Sequence, residues 1–274
     1  MIAYFDTQAF DHVYKKIGCT SADIANLRKA IYGRELSIRL SVHTLDEILL
    51  GRKVSPQAFA AQIKLTLSLA SSRTLIKPCG QLLLDDLRAY AARGEADRPF
   101  LPGDMQNAVA DGIAALIESD GEEMEDDFLA VLDQAQREKQ RFFTMLEEAR
   151  RAVDALSRPA SGWATFDQYL DVAALPVLGA LAEQAGVSDP CRERGLHGLL
   201  EIKSVRMSLG AALTASFAQA ITEAVNSSTF HHAVSAATVA ETYVSDSAAN
   251  RELLVHMPIE GLNVTSLPEF LKRL

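Results

Sequence analysis

Two rhythms of apolar and polar positions divide the chain, one at its ends and another through its middle. The chain opens Met1-Ile2-Ala3-Tyr4-Phe5-Asp6-Thr7, an apolar run that stops at a carboxylate. A run with no polar alternation suits a strand buried on both faces, as in a parallel α/β sheet. Phe10 to Tyr14 then carries apolar residues at helical offsets. Ser21 opens a second helix with Ile24, Leu27 and Ile31 on one stripe and Gly33 just past its end. Leu36 to Leu40 alternates and reads as a second strand. The following Ser41 to Gly51 reads as a helix, with Thr44 and Glu47 at capping-box spacing and Glu47 therefore in its first turn.

From about Ser55 the rhythm is helical. Ser55-Pro56 pairs a cap with a favoured first position, and Phe59, Ile63, Leu67 and Ala70 follow at about one helical turn. Leu75-Ile76 reads as a short strand or a connector. Helices are predicted from Leu82 to near Gly94, from Asp104 to Ile117, and from Phe128 to Leu156. Another runs from Trp163 to Ala185 with a kink or break at Pro176, and one or two lie between Cys191 and Val225. Strand-like text returns at Thr242-Tyr243-Val244-Ser245, again ending at a carboxylate, Asp246. Ser247 to His256 is read as a helix and Gly261 to Thr265 as a last strand. Ser266 and Glu269 form a capping box for the closing helix.

Composition changes this picture little. Hydrophobic residues make up 48% and charged residues 23% of 274 positions, ordinary values for a globular protein with a large core. The formal net charge of −9 argues against a broadly basic nucleic-acid coat but leaves room for a local basic groove. Arg34, Arg39, Arg52, Lys53, Arg192, Arg194, Lys203 and Arg206 are candidates to line one, and solvated helix faces explain them equally well. Seven of the ten residues from Glu118 to Asp127 are acidic, which suits a solvated helix start and lacks the spacing of a calcium loop. The three cysteines are widely spaced and fit no metal pattern. A reducing, cytoplasmic setting is therefore expected, with no membrane span.

The candidate chemistry lies at the strand ends. Asp6 follows the first strand, Glu47 lies in the helix after the second, and Asp246 follows a late one. Each has a structural role open to it as a turn or helix cap. If the strands are parallel, however, all three share the sheet edge where α/β proteins bind ligands. Clustered carboxylates repel unless a cation neutralises them, and oxygen-rich sites suit Mg²⁺ or Mn²⁺. His231-His232 lacks the i,i+4 spacing of a helical metal pair, and a packing role is expected for it.

These segments resemble the PIN-domain nucleases. Phe5-Asp6-Thr7 is similar to that family's first strand end. Ser41 to Leu49 resembles its acidic helix, with the acid on Glu47 rather than Asp46. Tyr243-Val244-Ser245-Asp246 resembles its late strand end, and Gly261 to Leu271 its closing strand and helix. The resemblance implies an α/β, PIN-like three-layer fold with a central parallel sheet, formed by 1–54 and 226–274. An all-helical insertion occupies 55–225. It further implies a metal-dependent endoribonuclease, with Asp6, Glu47 and Asp246 holding Mg²⁺ or Mn²⁺ and RNA as substrate. Two departures stand out. Thr229 occupies the place of a further family acid, and the helical middle matches no family motif. Both fit the alternative of a catalytically degenerate module that binds RNA, a protein partner or another copy of itself through the helical region.

Overall fold

The computed structural model describes residues 1–50, 55–70, 74–120, 125–154, 163–210, 227–248, 251, 254–255 and 259–274; side chains at 150, 152–154, 163–172 and 227–229 lie outside that description. Strands β1 (Ile2–Phe5), β2 (Ser37–Arg39), β3 (Thr242–Val244) and β4 (Asn263–Thr265) form one parallel sheet in the order β2-β1-β3-β4. Ala3 pairs with Ile38 on one side and Thr242 on the other, so the two ends of the chain meet in the sheet's centre. Ala3, Tyr4 and Phe5 are fully buried, which accounts for the unbroken apolar run that β1 requires.

Local chemistry sets the first helices. Asp6 ends β1 and caps α1 (Thr7–Lys15), its Oδ1 accepting the Ala9 N–H at 2.8 Å. Thr20 and Asp23 make a capping box for α2 (Ser21–Tyr32). Helix α3 (Val42–Leu50) departs from expectation: Ser41 Oγ, not Thr44, takes the capping role by accepting the Thr44 N–H at 3.2 Å. Glu47 consequently lies in the second turn, with its carboxylate directed at other partners.

The middle of the chain supplies α4 (Pro56–Leu69), α5 (Cys79–Ala92), α6 (Gly103–Glu118), α7 (Asp126–Asp154), α8 (Trp163–Gln184) and α9 (Ser188–Arg194). A 3₁₀ turn at Leu196–Glu201 and a helical stretch over 203–210 follow. Helix α8 continues through Pro176 without a break. Leu75-Ile76 is neither a full strand nor a plain connector. Ile76 donates its N–H to Leu40 O at 2.9 Å and accepts from Val42 N at 3.2 Å, and it is bridged to Ser41 on one side and Phe100 on the other. Helix α10 (Ser227–Val239) then leads into β3, and α11 (Leu267–Leu271) closes the chain behind the Ser266–Glu269 capping box. No described helix is long and apolar enough to cross a membrane.

Alternation along β1 and β3 sorts the interior into two clusters. Ala3, Phe5 and Val244 join residues of α1 to α4, α6 and the first half of α7. Tyr4 and Tyr243 join α5, the second half of α7, α8, α9 and α10. Helices from the middle of the sequence therefore pack on both faces of the sheet. Helix α7 spans the two clusters, giving Phe128, Val131 and Leu132 to one and Phe142, Met145 and Leu146 to the other. Gly112 lets α6 meet α7 closely, since a Cβ there would lie 2.3 Å from Phe128 Cβ.

Candidate metal centre at the carboxyl edge of the sheet

Glu47 is the focus of this edge. Helix α3 carries it up from β2, and α10 lowers His231 and His232 onto it from the opposite end of the chain. His231 Nε2 lies 2.9 Å from Glu47 Oε1, and His232 Nε2 lies 3.0 Å from Oε2. Thr7 donates its hydroxyl to Oε2 at 2.5 Å, and Lys139 of α7 reaches Oε1 at 3.5 Å. Neighbouring Asp46 faces α7 instead, accepting from Gln136. The Glu47 side chain keeps 22% of its surface exposed, so the carboxylate touches solvent while both imidazoles are buried.

Burial opposes charge on Glu47, yet the hydrogen bonds from His231 and His232 hold its carboxyl well below the usual range. Burial pulls the His231 imidazole down to about 3, so this ring is neutral and donates Nε2–H to the carboxylate. His43 packs edge-on against His231, with ring centroids 4.9 Å apart. Its Nε2 accepts the Cys79 N–H at 3.1 Å and so serves as acceptor at the start of α5, where Pro78 offers no side-chain cap. Burial and the nearby cationic groups keep His43 neutral as well. Among the described residues, Nδ1 of both His43 and His231 is buried without a hydrogen-bond partner.

His232 is held from behind. Its Nδ1 lies 2.6 Å from the Tyr4 hydroxyl, which also lies 2.9 Å from Ser41 Oγ and 3.2 Å from Thr44 Oγ1. Burial pushes the Tyr4 phenol well above its ordinary range, so it stays protonated at any ordinary pH. Asp6 sits on this same face. Its carboxyl is raised by burial, an effect that His232, Ser245 and the Ala9 N–H partly offset. Tyr243 Oη donates to its Oδ2 at 3.5 Å.

Asp246 stands two residues beyond β3, and its oxygens are engaged elsewhere. Oδ2 meets His12 Nδ1 at 2.5 Å, and Oδ1 accepts the Leu267 N–H at 2.9 Å at the start of α11. The structure thus sets Asp6 next to Thr7, which donates to Glu47, and turns Asp246 toward His12. Thr229 lies in the first turn of α10, with its side chain outside the described residues.

Glu47, His231 and His232 form a group that could hold a metal ion: one donor atom from each lies within 4.8 Å of the others. The two histidines are buried and packed as expected, and they also face Glu47. Two successive helical residues point about 100° apart, and here their imidazoles take the two oxygens of one carboxylate. The third member comes from a helix 184 residues away, so no local spacing announces it. Of the basic candidates, Arg39 covers the Phe100 ring and Arg194 the Tyr90 ring, while Arg52 and Lys53 lie outside the described residues. Lys139, whose helix carries no motif that marks it, places its ammonium beside Glu47.

No family model, curated protein or solved structure matches the chain.

Proposed function

We propose that the protein is a metal-dependent hydrolase of phosphodiesters, with RNA as the substrate class, built on a PIN-like sheet. The observation that carries this reading is the Glu47 carboxylate set between two imidazole Nε2 atoms at the carboxyl edge of a parallel sheet, partly open to solvent. Asp6 supplies a second carboxyl on the same face, and Lys139 a positive charge beside Glu47 suited to a phosphate oxygen. A divalent ion held there would supply Lewis acidity and a more acidic water. The chain's own part is to orient Glu47 through Thr7, to keep His231 neutral by burial, and to seat His232 against Tyr4. Two of the three donors are imidazole nitrogen. Of the two ions expected from the sequence, Mn²⁺ fits this set better than Mg²⁺, which favours oxygen.

A second reading rests on a different observation. Glu47 already accepts from Thr7, His231, His232 and Lys139, so the network is neutralised by the chain itself. A buried polar network satisfied in this way can serve as the core of a non-catalytic module that binds RNA, protein or its own copy through the helical region.

Cleavage of a mixed single-stranded and structured RNA panel in millimolar Mn²⁺ separates the two. The nuclease reading expects cleavage by the wild type that is abolished in Glu47→Gln and Asp6→Asn. Equal inertness of all three chains, each folded, would leave the module reading in its place.

A further inference from the structure

The donor set at Glu47 carries information about which ion belongs there. We propose that Glu47, His231 and His232 form a transition-metal site that takes Zn²⁺ in preference to Mg²⁺, and that Tyr4 is the positioning residue that lets His232 present the lone pair of its Nε2. This deepens the metal-dependent reading and rests on its premise that the Glu47 group holds an ion, but it does not rest on RNA being cut.

The ion preference follows from donor chemistry. Zn²⁺ takes imidazole nitrogen and carboxylate oxygen readily, and its reactive sites use three protein donors with a further position left open. Mg²⁺ requires near-octahedral oxygen and gives up its waters reluctantly. Here two of three donors are nitrogens. The remaining acids of the edge are spoken for, Asp6 by Ala9 and Tyr243 and Asp246 by His12 and Leu267.

The role of Tyr4 follows from proton counting. With no ion present, His232 Nε2 at 3.0 Å from Glu47 Oε2 is a donor, and in the neutral ring Nδ1 then accepts the Tyr4 O–H at 2.6 Å. An ion on Nε2 needs that nitrogen bare, which places the ring proton on Nδ1. Nδ1 can keep its partner only if the phenol becomes the acceptor there and turns its own O–H elsewhere. Ser41 Oγ at 2.9 Å and Thr44 Oγ1 at 3.2 Å stand ready to accept it, and a hydroxyl can donate and accept at once. The phenol and its two hydroxyls thus satisfy Nδ1 in either tautomer. His231 has no such partner: its Nδ1 is buried and unpaired among the described residues, beside the equally unpaired Nδ1 of His43. His232 is therefore the imidazole built to switch tautomers, and His231 the weaker donor of the pair.

The test uses the full chain freed of metal with a chelator, then titrated with Zn²⁺, with Mg²⁺, and with Co²⁺ as a spectroscopic stand-in. The expected result is one Zn²⁺ per chain, undisturbed by millimolar Mg²⁺, with binding lost in Glu47→Gln and His232→Gln. Tyr4→Phe should keep the stoichiometry and the Co²⁺ absorption bands but bind about 10-fold more weakly, the scale on which outer partners of metal-bound histidines act. If Tyr4→Phe fails to fold, Ser41→Ala retains the phenol and should show weakening in the same direction. No stoichiometric Zn²⁺, displacement of Zn²⁺ by Mg²⁺, or wild-type affinity in His232→Gln would overturn the site. Wild-type affinity in both Tyr4→Phe and Ser41→Ala would overturn the part given to Tyr4. Stoichiometric Zn²⁺ without RNA cleavage would sink the nuclease proposal alone, whereas Mg²⁺-supported cleavage by a chain that ignores Zn²⁺ would sink this one alone.

Discussion

The two faces of the sheet are built from alternate residues of the same strands, yet they are chemically opposite. On one face Phe5 meets Phe10 at a tilt and Phe270 edge to face, at centroid distances of 5.5 and 5.4 Å, backed by aliphatic side chains of α1 to α4. On the other, Tyr4 and Tyr243 meet edge to face at 5.7 Å, and both carry hydroxyls toward the carboxyl end, where Asp6, Ser41, Thr44 and His232 wait. With Tyr4 and Tyr243 on one side and Ala3, Phe5 and Val244 on the other, one face only packs and the other packs while holding a polar network. Stability should therefore be concentrated on the first face and pH sensitivity on the second.

The largest expected effect tests the dry face. Phe5→Ala removes a fully buried ring from the centre of the sheet, and ring-to-alanine changes in cores cost about 3–5 kcal/mol. Urea unfolding should show a loss of that order. A loss below about 1 kcal/mol, within reach of an ordinary surface change, would show that this face does not carry the fold.

The second effect belongs to the polar face. His231 is held at about 3 by burial and titrates near 6.5 once unfolded. The unfolded chain thus binds the extra proton first. Stability from this group is complete above about 6.5 and falls as pH drops from there toward 3, and His43 is displaced in the same direction. For His231 alone, linkage gives a loss of about 2 kcal/mol between roughly pH 7.5 and pH 5 in the metal-free protein. His231→Phe should flatten that slope. An unchanged slope would mean that His231 is charged in the native state.

How much of this was legible beforehand follows from where each signal lies. The sheet was legible because burial on both faces forces an unbroken apolar run, as at Ile2–Phe5, and caps such as Asp6 and Ser266 are local. Glu47 could be singled out by its place after a strand. Its partners could not: His231 and His232 become meaningful only once α10 is laid over α3, and a pair spaced i,i+1 resembles no metal motif. The Thr44–Glu47 spacing pointed to a capping box, but Ser41 lies one turn ahead and takes the Thr44 N–H itself. Asp246 looked equivalent to Asp6 because both end strands, but the two are one pleat apart. In register, Phe5 faces Val244, so Asp6 lies level with Ser245 and Asp246 falls on the next residue, toward α1. Since successive side chains of an extended chain alternate sides, a one-residue offset is enough to exchange a carboxylate on the tyrosine face for one that holds His12.

That offset sets the third effect. Asp246 ties α1 to α11 through His12 and the Leu267 N–H. Asp246→Asn keeps the shape but weakens both contacts, and hydrogen bonds to charged groups are worth about 1.5–3 kcal/mol each. A stability loss near the lower figure is expected, with Zn²⁺ affinity less affected than in Glu47→Gln. Complete loss of metal binding with unaltered stability would restore Asp246 to the metal group.

The smallest effect separates the two tyrosines of the polar face. Tyr243→Phe removes a hydroxyl that reaches Asp6 Oδ2 over 3.5 Å, a long contact, while the ring keeps its packing on Tyr4. Asp6 retains the Ala9 N–H at 2.8 Å, so the carboxyl is not left bare. The stability loss should be about 1 kcal/mol or less, the net worth of one ordinary hydrogen bond. Tyr4→Phe touches a 2.6 Å contact to His232 instead, and removes the group on which the ring's tautomer depends. The two substitutions delete the same atom from neighbouring strands of one face. If metal affinity reads only the wiring to His232, Tyr4→Phe should weaken Zn²⁺ and Tyr243→Phe should stay closer to the wild type. Equal weakening by both would place Asp6 in the metal group alongside Glu47, and would make the polar face one cooperative network rather than a ligand with its support.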